Sequence, residues 1–306
     1  MTLAWAGWLV RVPAHWQVLG VEGDWASGRF TAGVEAETSL QIGWQRLPRR
    51  PGFDPDEWLY RRSHHAAQGR DLVRGWPKPA GFSNTAWVTD GAGRRDEARP
   101  SNWYGYAPMA HLAIELTVQP ELLREYQHEL MEHVVPSLRA ISSSTCSMWS
   151  VYDVAFVAPA GFAIVNWRLD PGDVALLALA ADATQRLALR QTYPATEALA
   201  HRELAEWLRV PAFPTRRRLQ LSAQPQPLQI SSWGRTLTGL QAYGIRRLPF
   251  PLGKWRPVRT ACAVAHDQEL DRLLLVELDS EEDLQDELVL PSIESMNWVR
   301  FRADPL

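Results

Sequence analysis

The feature of this sequence that most constrains its fold is an internal repeat. Residues 9–18, LVRVPAHWQV, are echoed by residues 154–164, VAFVAPAGFAI. Each segment reads as a short apolar strand, then Pro-Ala, one further residue and an aromatic side chain. The patterns that follow keep one order in both halves: three strands, a helix, about four more strands and a closing helix. We interpret this agreement as a tandem duplication of one folding unit.

The repeated pattern predicts the fold class and the domain boundaries. An antiparallel sheet with helices gathered on one face is an α+β fold. We predict two similar α+β domains, each an antiparallel sheet of about six or seven strands with two helices. The first spans residues 1–144, the second spans residues 149–306, and residues 141–148 form the linker. Half of a 306-residue chain is long enough to bury an independent core.

Helix signals recur in the two halves. Asp54-Pro55 begins the first helix, because Asp is a favourable N-cap and Pro fits the first helical position. Glu206-Trp207-Leu208 in the second half falls where Glu57-Trp58-Leu59 falls in the first. Closing helices are predicted over residues 120–140, from apolar periodicity, and from Ser280 onward, from a capping signature.

The order of these elements resembles the PsbP/DcrB-like fold family. That family includes photosystem extrinsic subunits, a Ran-binding nuclear-transport protein, a bacterial lipoprotein and chaperones of type VI secretion effectors. Besides the two helices, the matching segments are Val12-Pro13-Ala14-His15-Trp16, Leu40-Gln41-Ile42, Ala158-Pro159-Ala160-Gly161-Phe162 and Leu187-Ala188-Leu189. The resemblance implies a non-enzymatic module that binds proteins. This sequence departs from the family pattern by its duplication and by lacking a lipoprotein or thylakoid signal.

Composition and charge argue against several classes of protein. With 46% hydrophobic and 22% charged residues the sequence is typical of a globular protein, which excludes wholesale disorder. A formal net charge of −3 argues against a nucleic-acid-binding protein, which usually carries a basic face. No uncharged apolar stretch reaches about 18 residues, so no membrane span is predicted. Cys146 and Cys262 read as free thiols and no signal peptide is evident, so we expect a cytoplasmic protein.

No motif predicts a metal, a cofactor or a catalytic residue. The segment HELMEH, residues 128–133, resembles a zinc-protease helix, but Glu132 occupies the position where the second His is required. At helical spacing His128 and Glu132 fall opposite the apolar stripe, which indicates a solvated surface. No nucleophile elbow, Walker loop or dinucleotide fingerprint is present. Whether HELMEH binds any metal weakly stays open at this point.

The sequence contains 15 tryptophans. Trp16, Trp44, Trp58 and Trp207 fall on apolar faces and are predicted to lie in the cores. Other aromatic and arginine side chains stand near loops or strand ends, a composition typical of binding hot spots. The predicted partner-binding residues are Trp25, Trp76, Trp87, Trp103, Tyr104, Tyr106, Arg94, Arg95 and Trp255. The alternative, that these rings only cover the sheet, stays open.

These features favour a non-catalytic protein-binding module, either a chaperone or adaptor or an assembly subunit with a tryptophan-rich surface. The partner is expected to be another protein, bound by a monomer whose two domains form a pseudo-twofold pair or by a subunit of a larger complex. One alternative is an enzyme with its active site between the domains, using His111, His133, Glu115 or Asp153. Another is a structural subunit of a larger assembly.

Overall fold

Most of the chain forms short antiparallel strands, because apolar and polar residues alternate between frequent turns. The computed structural model describes residues 1–36, 38–47, 53–67, 71–74, 78–89, 101–141, 146–151, 154–159, 161–170, 172–213, 219–222, 224–232, 235–249 and 255–281. The chain divides into unit 1, which runs to Asp153, and unit 2, which starts at Val154. Strands account for about 55% of the structure and helices for about 20%. The predicted α+β class with two helices per domain is therefore wrong, and the fold is mostly β.

The strands of unit 1 form two antiparallel sheets. In chain order they are β1 (Thr2–Trp5), β2 (Trp8–Arg11), β3 (Gln17–Gly23), β4 (Ser27–Gly33), β5 (Ser39–Arg46), β6 (Asp71–Arg74), β7 (Asn84–Thr89), β8 (Ser101–Ala107), β9 (Leu112–Val118), β10 (Arg139–Ala140) and β11 (Cys146–Val151). The large sheet has the order β3-β4-β5-β9-β8-β7-β6. A smaller sheet joins β10, β2, β1 and β11 in that order.

Helices of unit 1 lie between and after the strands of the large sheet. They are α1 (Pro55–Ala66), a 3-10 turn (Pro108–Ala110), α2 (Pro120–Glu129), a π-helical turn (Leu130–Val134) and α3 (Val135–Ser137). The predicted start of α1 is confirmed, since an Asp54 carboxylate oxygen accepts hydrogen bonds from the backbone N–H groups of Asp56 and Glu57. Helix α1 packs on one face of the large sheet, where Leu59 meets Ala86, Val88 and Tyr104. We call this the helix-bearing face.

The opposite face of the large sheet carries the aromatic core of unit 1. The Phe30 ring lies 5.4 Å from that of Trp8 and 5.9 Å from that of Trp5. These two tryptophans belong to β2 and β1, so their rings pack the small sheet against the large one. Trp5 in turn makes an edge contact with Trp149 of β11 at 4.7 Å. Trp44 is buried beside Trp8. Both faces of the large sheet are therefore covered, which explains why so many of its aromatic residues are buried.

Unit 2 contains one large antiparallel sheet. The strands of unit 2 are β12 (Val154–Pro159), which lies outside this sheet, and β13 (Phe162–Asp170), β14 (Asp173–Ala180), β15 (Gln185–Thr192), β16 (Gln220–Leu221), β17 (Gln226–Ser232), β18 (Arg235–Pro249), β19 (Trp255–Asp267) and β20 (Arg272–Ser280), which form it. The sheet order is β13-β14-β15-β20-β19-β18, and both β16 and β17 pair with β18. Two short helices, α4 (Ala195–Ala200) and α5 (Leu204–Trp207), precede β16.

The two large sheets have the same strand order. In each sheet, three strands precede a helix and the other strands follow it. The last strand pairs with the third, so β9 pairs with β5 in unit 1 and β20 pairs with β15 in unit 2. The final hairpins also agree. Both have a four-residue loop that ends in a residue with left-handed backbone, His111 at φ 47° and Asp271 at φ 51°.

A β-bulge in the first strand of each large sheet sets a common register. Leu19 in β3 and Val165 in β13 are extra residues at which the pairing shifts by one. Each stands three residues after the aromatic residue of the repeated motif, Trp16 or Phe162. Pairing outward from the bulges matches Ser27 with Asp173, Arg29 with Ala175, Gln41 with Ala188, Gly43 with Arg190, Asn102 with Cys262, Tyr104 with Val264 and Glu115 with Leu275.

Helix content is lower than predicted for local reasons. The periodic segment 120–140 is interrupted after Glu129 by the π-helical turn and ends at Ser137. In unit 2 the predicted helix is split into α4 and α5, and Glu203 begins α5 with a capping box. Ser280, the predicted start of the closing helix, is the last residue of β20, and the rest of that prediction lies outside the described residues.

Across the ranges described above, no helix combines the length and the apolar character that a bilayer span needs.

Candidate functional site

The aromatic residues predicted to bind a partner lie mostly in the interior of unit 1. Trp87, Trp103, Tyr104 and Tyr106 are all buried, and Trp103 is 0% exposed. Trp25 is half-buried, with the guanidinium of Arg46 3.9 Å above its ring. The predicted positions Trp76, Arg94 and Arg95 lie outside the described residues, as does the side chain of Trp255, whose backbone belongs to β19.

Their burial follows from their strands rather than from the loops beside them. Trp103 stands near a long loop in the sequence, but β8 is an inner strand of the large sheet. Its ring makes an edge contact with Phe82 at 5.4 Å and lies over Gly105, where a Cβ atom would collide with it. Tyr106 packs with Leu47 on the other face, and burial raises the pKa of its hydroxyl.

A cavity of about 480 Å³ opens on the helix-bearing face of unit 1. Its lining includes Gln41, Gly43, Trp58, Arg62, Glu115 and Thr117. A second cavity of about 540 Å³ lies along α1 and shares Gln45, Trp58 and Arg62 with the first. The two cavities are adjacent, with these three residues between them, and we call them together the α1 groove.

Glu115 and Thr117 of β9 line the α1 groove, and polar side chains of β8 donate hydrogen bonds to both. The Tyr104 hydroxyl donates a hydrogen bond to Oε1 of Glu115 at 3.1 Å. The Asn102 side-chain amide also points to this oxygen, at 3.4 Å, and donates to Thr117 Oγ1 at 2.9 Å. We call Asn102, Tyr104 and Glu115 the polar trio. Tyr104 is buried, while Asn102 and Glu115 are half-buried.

The matched region of unit 2 is filled instead of open. Arg190, the counterpart of Gly43, makes a two-pronged ion pair with Asp173 at 2.6 and 3.0 Å. The same guanidinium lies 5.7 Å from the ring of Trp207. The counterparts of the polar trio are the buried apolar-core residues Cys262, Val264 and Leu275. One place in a shared strand order is thus a polar groove in unit 1 and a packed core in unit 2.

A second polar cluster in unit 2 is fully buried and serves to hold strands together. Arg246 of β18 donates hydrogen bonds to Glu277 at 2.6 Å and to Asp279 at 3.2 Å, and Thr260 donates to Asp279 at 2.7 Å. Burial alone would lower the pKa of Arg246, but the adjacent carboxylates outweigh it and raise that pKa. Burial, with a further contribution from Glu277, raises the pKa of the Cys262 thiol to about 12. These shifts are those of an interior ion-pair network.

The residues considered for an enzyme are spread over different elements. Glu115 is in the α1 groove, His111 is half-buried in the β8–β9 loop, and His133 is exposed on the π-helical turn. Asp153 lies outside the described residues. Within those ranges no three His, Cys, Asp or Glu side chains are grouped so as to hold a metal ion. In HELMEH, His128 and Glu132 are exposed.

The residues that make the groove gave only faint sequence signals. Trp58 was assigned to the core, and it is half-buried with part of its side chain in the groove. Gly43 interrupts an otherwise bulky strand, and a glycine inside a strand often marks a close approach or an opening. Trp16, Trp44 and Trp207 were also assigned to the cores, and those predictions are confirmed.

Comparison of the chain with protein-family models gives no match, and comparison with curated proteins gives none either. The resemblance to the PsbP/DcrB-like fold family stays a prediction.

Proposed function

We propose that this is a non-catalytic protein-binding protein whose α1 groove receives a segment of a partner protein. The observation that carries the proposal is the contrast between matched positions in the two sheets. Unit 2 fills this place with Arg190 and Leu275, so the shared strand order does not require an open groove. A polar groove at positions that the same fold can fill with packed side chains is typical of a functional site.

The shape and composition of the α1 groove favour a peptide segment as the occupant. The two cavities lie side by side along α1, an arrangement that suits an extended chain. Trp58 offers an aromatic surface, Gln41 and Gln45 offer amides, and Arg62 offers a charge. Aromatic and arginine side chains beside polar groups are enriched where proteins bind proteins.

In this proposal unit 2 is a diverged copy with a structural role. The common strand order, the matched bulges and the matched hairpin loops support a duplication followed by specialisation of unit 1. The proposal keeps the protein in the cytoplasm, and the free, buried thiol of Cys262 supports a reducing compartment. It also replaces the predicted tryptophan-rich surface with a groove that contains one half-buried tryptophan.

The test is selection from a displayed library of random peptides of about 12 residues on the wild-type protein. The selected peptides are then measured on a groove-closed variant, Gly43→Arg/Ser27→Asp, which copies the Arg190–Asp173 ion pair of unit 2 and takes no part in the selection. We expect selected peptides to bind the groove-closed variant at least about tenfold more weakly, or about 1.4 kcal/mol. The control, Gly43→Ala, adds one methyl group at contact distance, 3.6 Å from the Glu115 carbonyl oxygen.

Two controls make the result decisive. Circular dichroism and thermal unfolding must show that the groove-closed variant folds like the wild type. Gly43→Ala must bind selected peptides within about twofold of the wild type, since its methyl group leaves most of the groove open. Peptides that bind all three proteins equally, or the absence of any enriched peptide, would overturn the proposal.

A further inference from the structure

Glu115 presents a carboxylate whose orientation is fixed from one side. Tyr104 and Asn102 both donate to Oε1, and among the described residues no group donates a hydrogen bond to Oε2. Two donors on one oxygen hold the carboxylate plane in place, since the buried Tyr104 ring has little freedom to move. The second oxygen is left available to a ligand.

No cation of unit 1 neutralises this carboxylate. Within the described part of the chain Glu115 takes part in no ion pair, although Arg29 and Arg62 also line the groove. Arg29 is exposed, stands opposite Glu22 in the β3–β4 pair and forms no ion pair with Glu115 among the described residues. Arg62 is exposed on α1. The charge at the polar trio is therefore locally negative.

Keeping an ion here is costly to the fold. A half-buried carboxylate without an ion-pair partner loses hydration that two donors to one oxygen replace only in part. Unit 2 avoids this cost by placing Leu275 at the matched position, with Val264 and Cys262 in place of Tyr104 and Asn102. All three members of the polar trio thus differ from their counterparts together, as expected if they act as one unit.

We propose that the polar trio binds a basic side chain of the partner segment, with Glu115 as its acceptor. This inference depends on the proposed function, because it names what the α1 groove recognises. A charge-assisted hydrogen bond to a fixed carboxylate gives both strength and geometric selectivity. The Trp58 ring in the same groove offers a surface for the stem or for a cation–π contact. Arg is favoured over Lys, because its planar guanidinium can contact both a carboxylate and a ring face.

The experiment uses the peptides selected on the wild-type protein. Each peptide is compared with a form in which Arg is replaced by citrulline, which has almost the same shape but no charge. Isothermal titration calorimetry measures both forms against the wild type and Glu115→Gln. We expect citrulline to weaken binding to the wild type about tenfold to a hundredfold, as for loss of a hydrogen bond to a charged group. On Glu115→Gln the two forms should bind equally weakly, because the charge has lost its acceptor.

The matched control is Glu125→Gln, which removes an equal charge from an exposed position of α2, outside the α1 groove. It should bind the Arg peptide within about threefold of the wild type. The inference fails if selected peptides lack a basic residue, or if Glu115→Gln keeps full affinity for the Arg peptide, while the groove-closed variant still abolishes binding. If the groove-closed variant also binds normally, the proposed function itself has failed, so the two failures are distinguishable.

Discussion

The residue at the position of Gly43 determines whether the space between the helix and the sheet is an open groove or a filled interior. Glycine is disfavoured inside strands because it adds no packing and costs backbone entropy. At the matched position unit 2 carries Arg190, whose long side chain reaches Asp173 and the ring of Trp207. The same backbone register can therefore support a groove or a packed interior, depending on one side chain and its ion-pair partner.

Cys262 gives a prediction at the residue scale. Burial raises the pKa of its thiol from 9.0 to about 12, which lowers its reactivity because only the thiolate is a nucleophile. The variant Cys146→Ala leaves Cys262 as the single cysteine. We expect a thiol reagent such as DTNB to label no cysteine in this folded variant and one cysteine after denaturation. Rapid labelling of the folded variant would contradict the burial.

The same thiol predicts how stability depends on alkaline pH. In the unfolded chain the thiol ionises near pH 9.0, whereas in the folded protein it stays protonated to about pH 12. Raising the pH between these values therefore favours the unfolded state, by at most about 1.4 kcal/mol per pH unit for this group. Urea unfolding of the wild type and Cys262→Ala should show a difference in unfolding free energy that moves in favour of the variant between about pH 8 and about pH 10.5. A difference that does not change with pH would contradict the shift.

Sequence patterns predicted the role of a residue correctly where that role depends on its neighbours in the chain. The N-cap at Asp54 depends on neighbouring backbone N–H groups, so its chemistry is visible in the sequence. The burial of Trp87 and Trp103 depends on which strands flank β7 and β8 and on what covers both sheet faces. How close a residue lies to a loop in the sequence indicates neither its flanking strands nor what covers the sheet. The groove was missed for the same reason, since Gly43 and Trp58 come to line one cavity only after the chain has folded.

At the scale of elements, the bulged strands β3 and β13 are the instructive cases. Both were missed as strands, because a bulge places two apolar residues in succession and breaks the alternation of period two. The pairs are Val18-Leu19 and Ile164-Val165. Alternation over residues 28–34, 40–47, 174–180 and 186–191 predicts the regularly paired strands β4, β5, β14 and β15. Each bulged strand is a sheet edge, where a bulge twists the strand and discourages pairing with another chain.

This protective role of the bulge predicts the effect of deleting Leu19. Removal of the extra residue lets Val18 and Gly20 pair with Ala32 and Thr31 as a regular ladder. We expect a folded protein with a straighter edge and more self-association than the wild type, measured by analytical ultracentrifugation at matched concentrations. Leu19→Ala keeps the bulge while shortening a side chain that is 39% exposed, so it should sediment like the wild type. Equal self-association of the deletion and Leu19→Ala would argue against a protective bulge.

At the scale of the whole molecule, the proposed function depends on differences between two large sheets that share one strand order. The repeated order of elements was visible in the sequence, although the class was assigned as α+β and the structure is mostly β. Two short helices, not long ones, accompany the unit 2 sheet within the described residues. What could not be seen in the sequence is that matched positions face an open groove in one sheet and an apolar core in the other. That difference depends on pairing register, which links residues far apart in the chain.

Reciprocal substitutions at one matched position test this divergence. Leu275 is buried in the apolar core of unit 2, so Leu275→Glu should lower the free energy of unfolding by about 3 kcal/mol or more. Glu115→Leu removes a half-buried carboxylate, so stability should change by less than about 1 kcal/mol or increase. Urea unfolding followed by circular dichroism measures both changes. Similar destabilisation by the two substitutions would mean that Glu115 is as much a core residue as Leu275.

The most direct measurement of the central claim is the place where a bound peptide touches the protein. A selected peptide carrying benzoylphenylalanine is photo-cross-linked to the wild type, and mass spectrometry locates the modified residues. The account predicts cross-links to residues of the α1 groove, with Trp58, Gln45 and Ala113 as the nearest expected targets. It also predicts their loss in Gly43→Arg/Ser27→Asp. Cross-links confined to unit 2, or unchanged in the groove-closed variant, would contradict it.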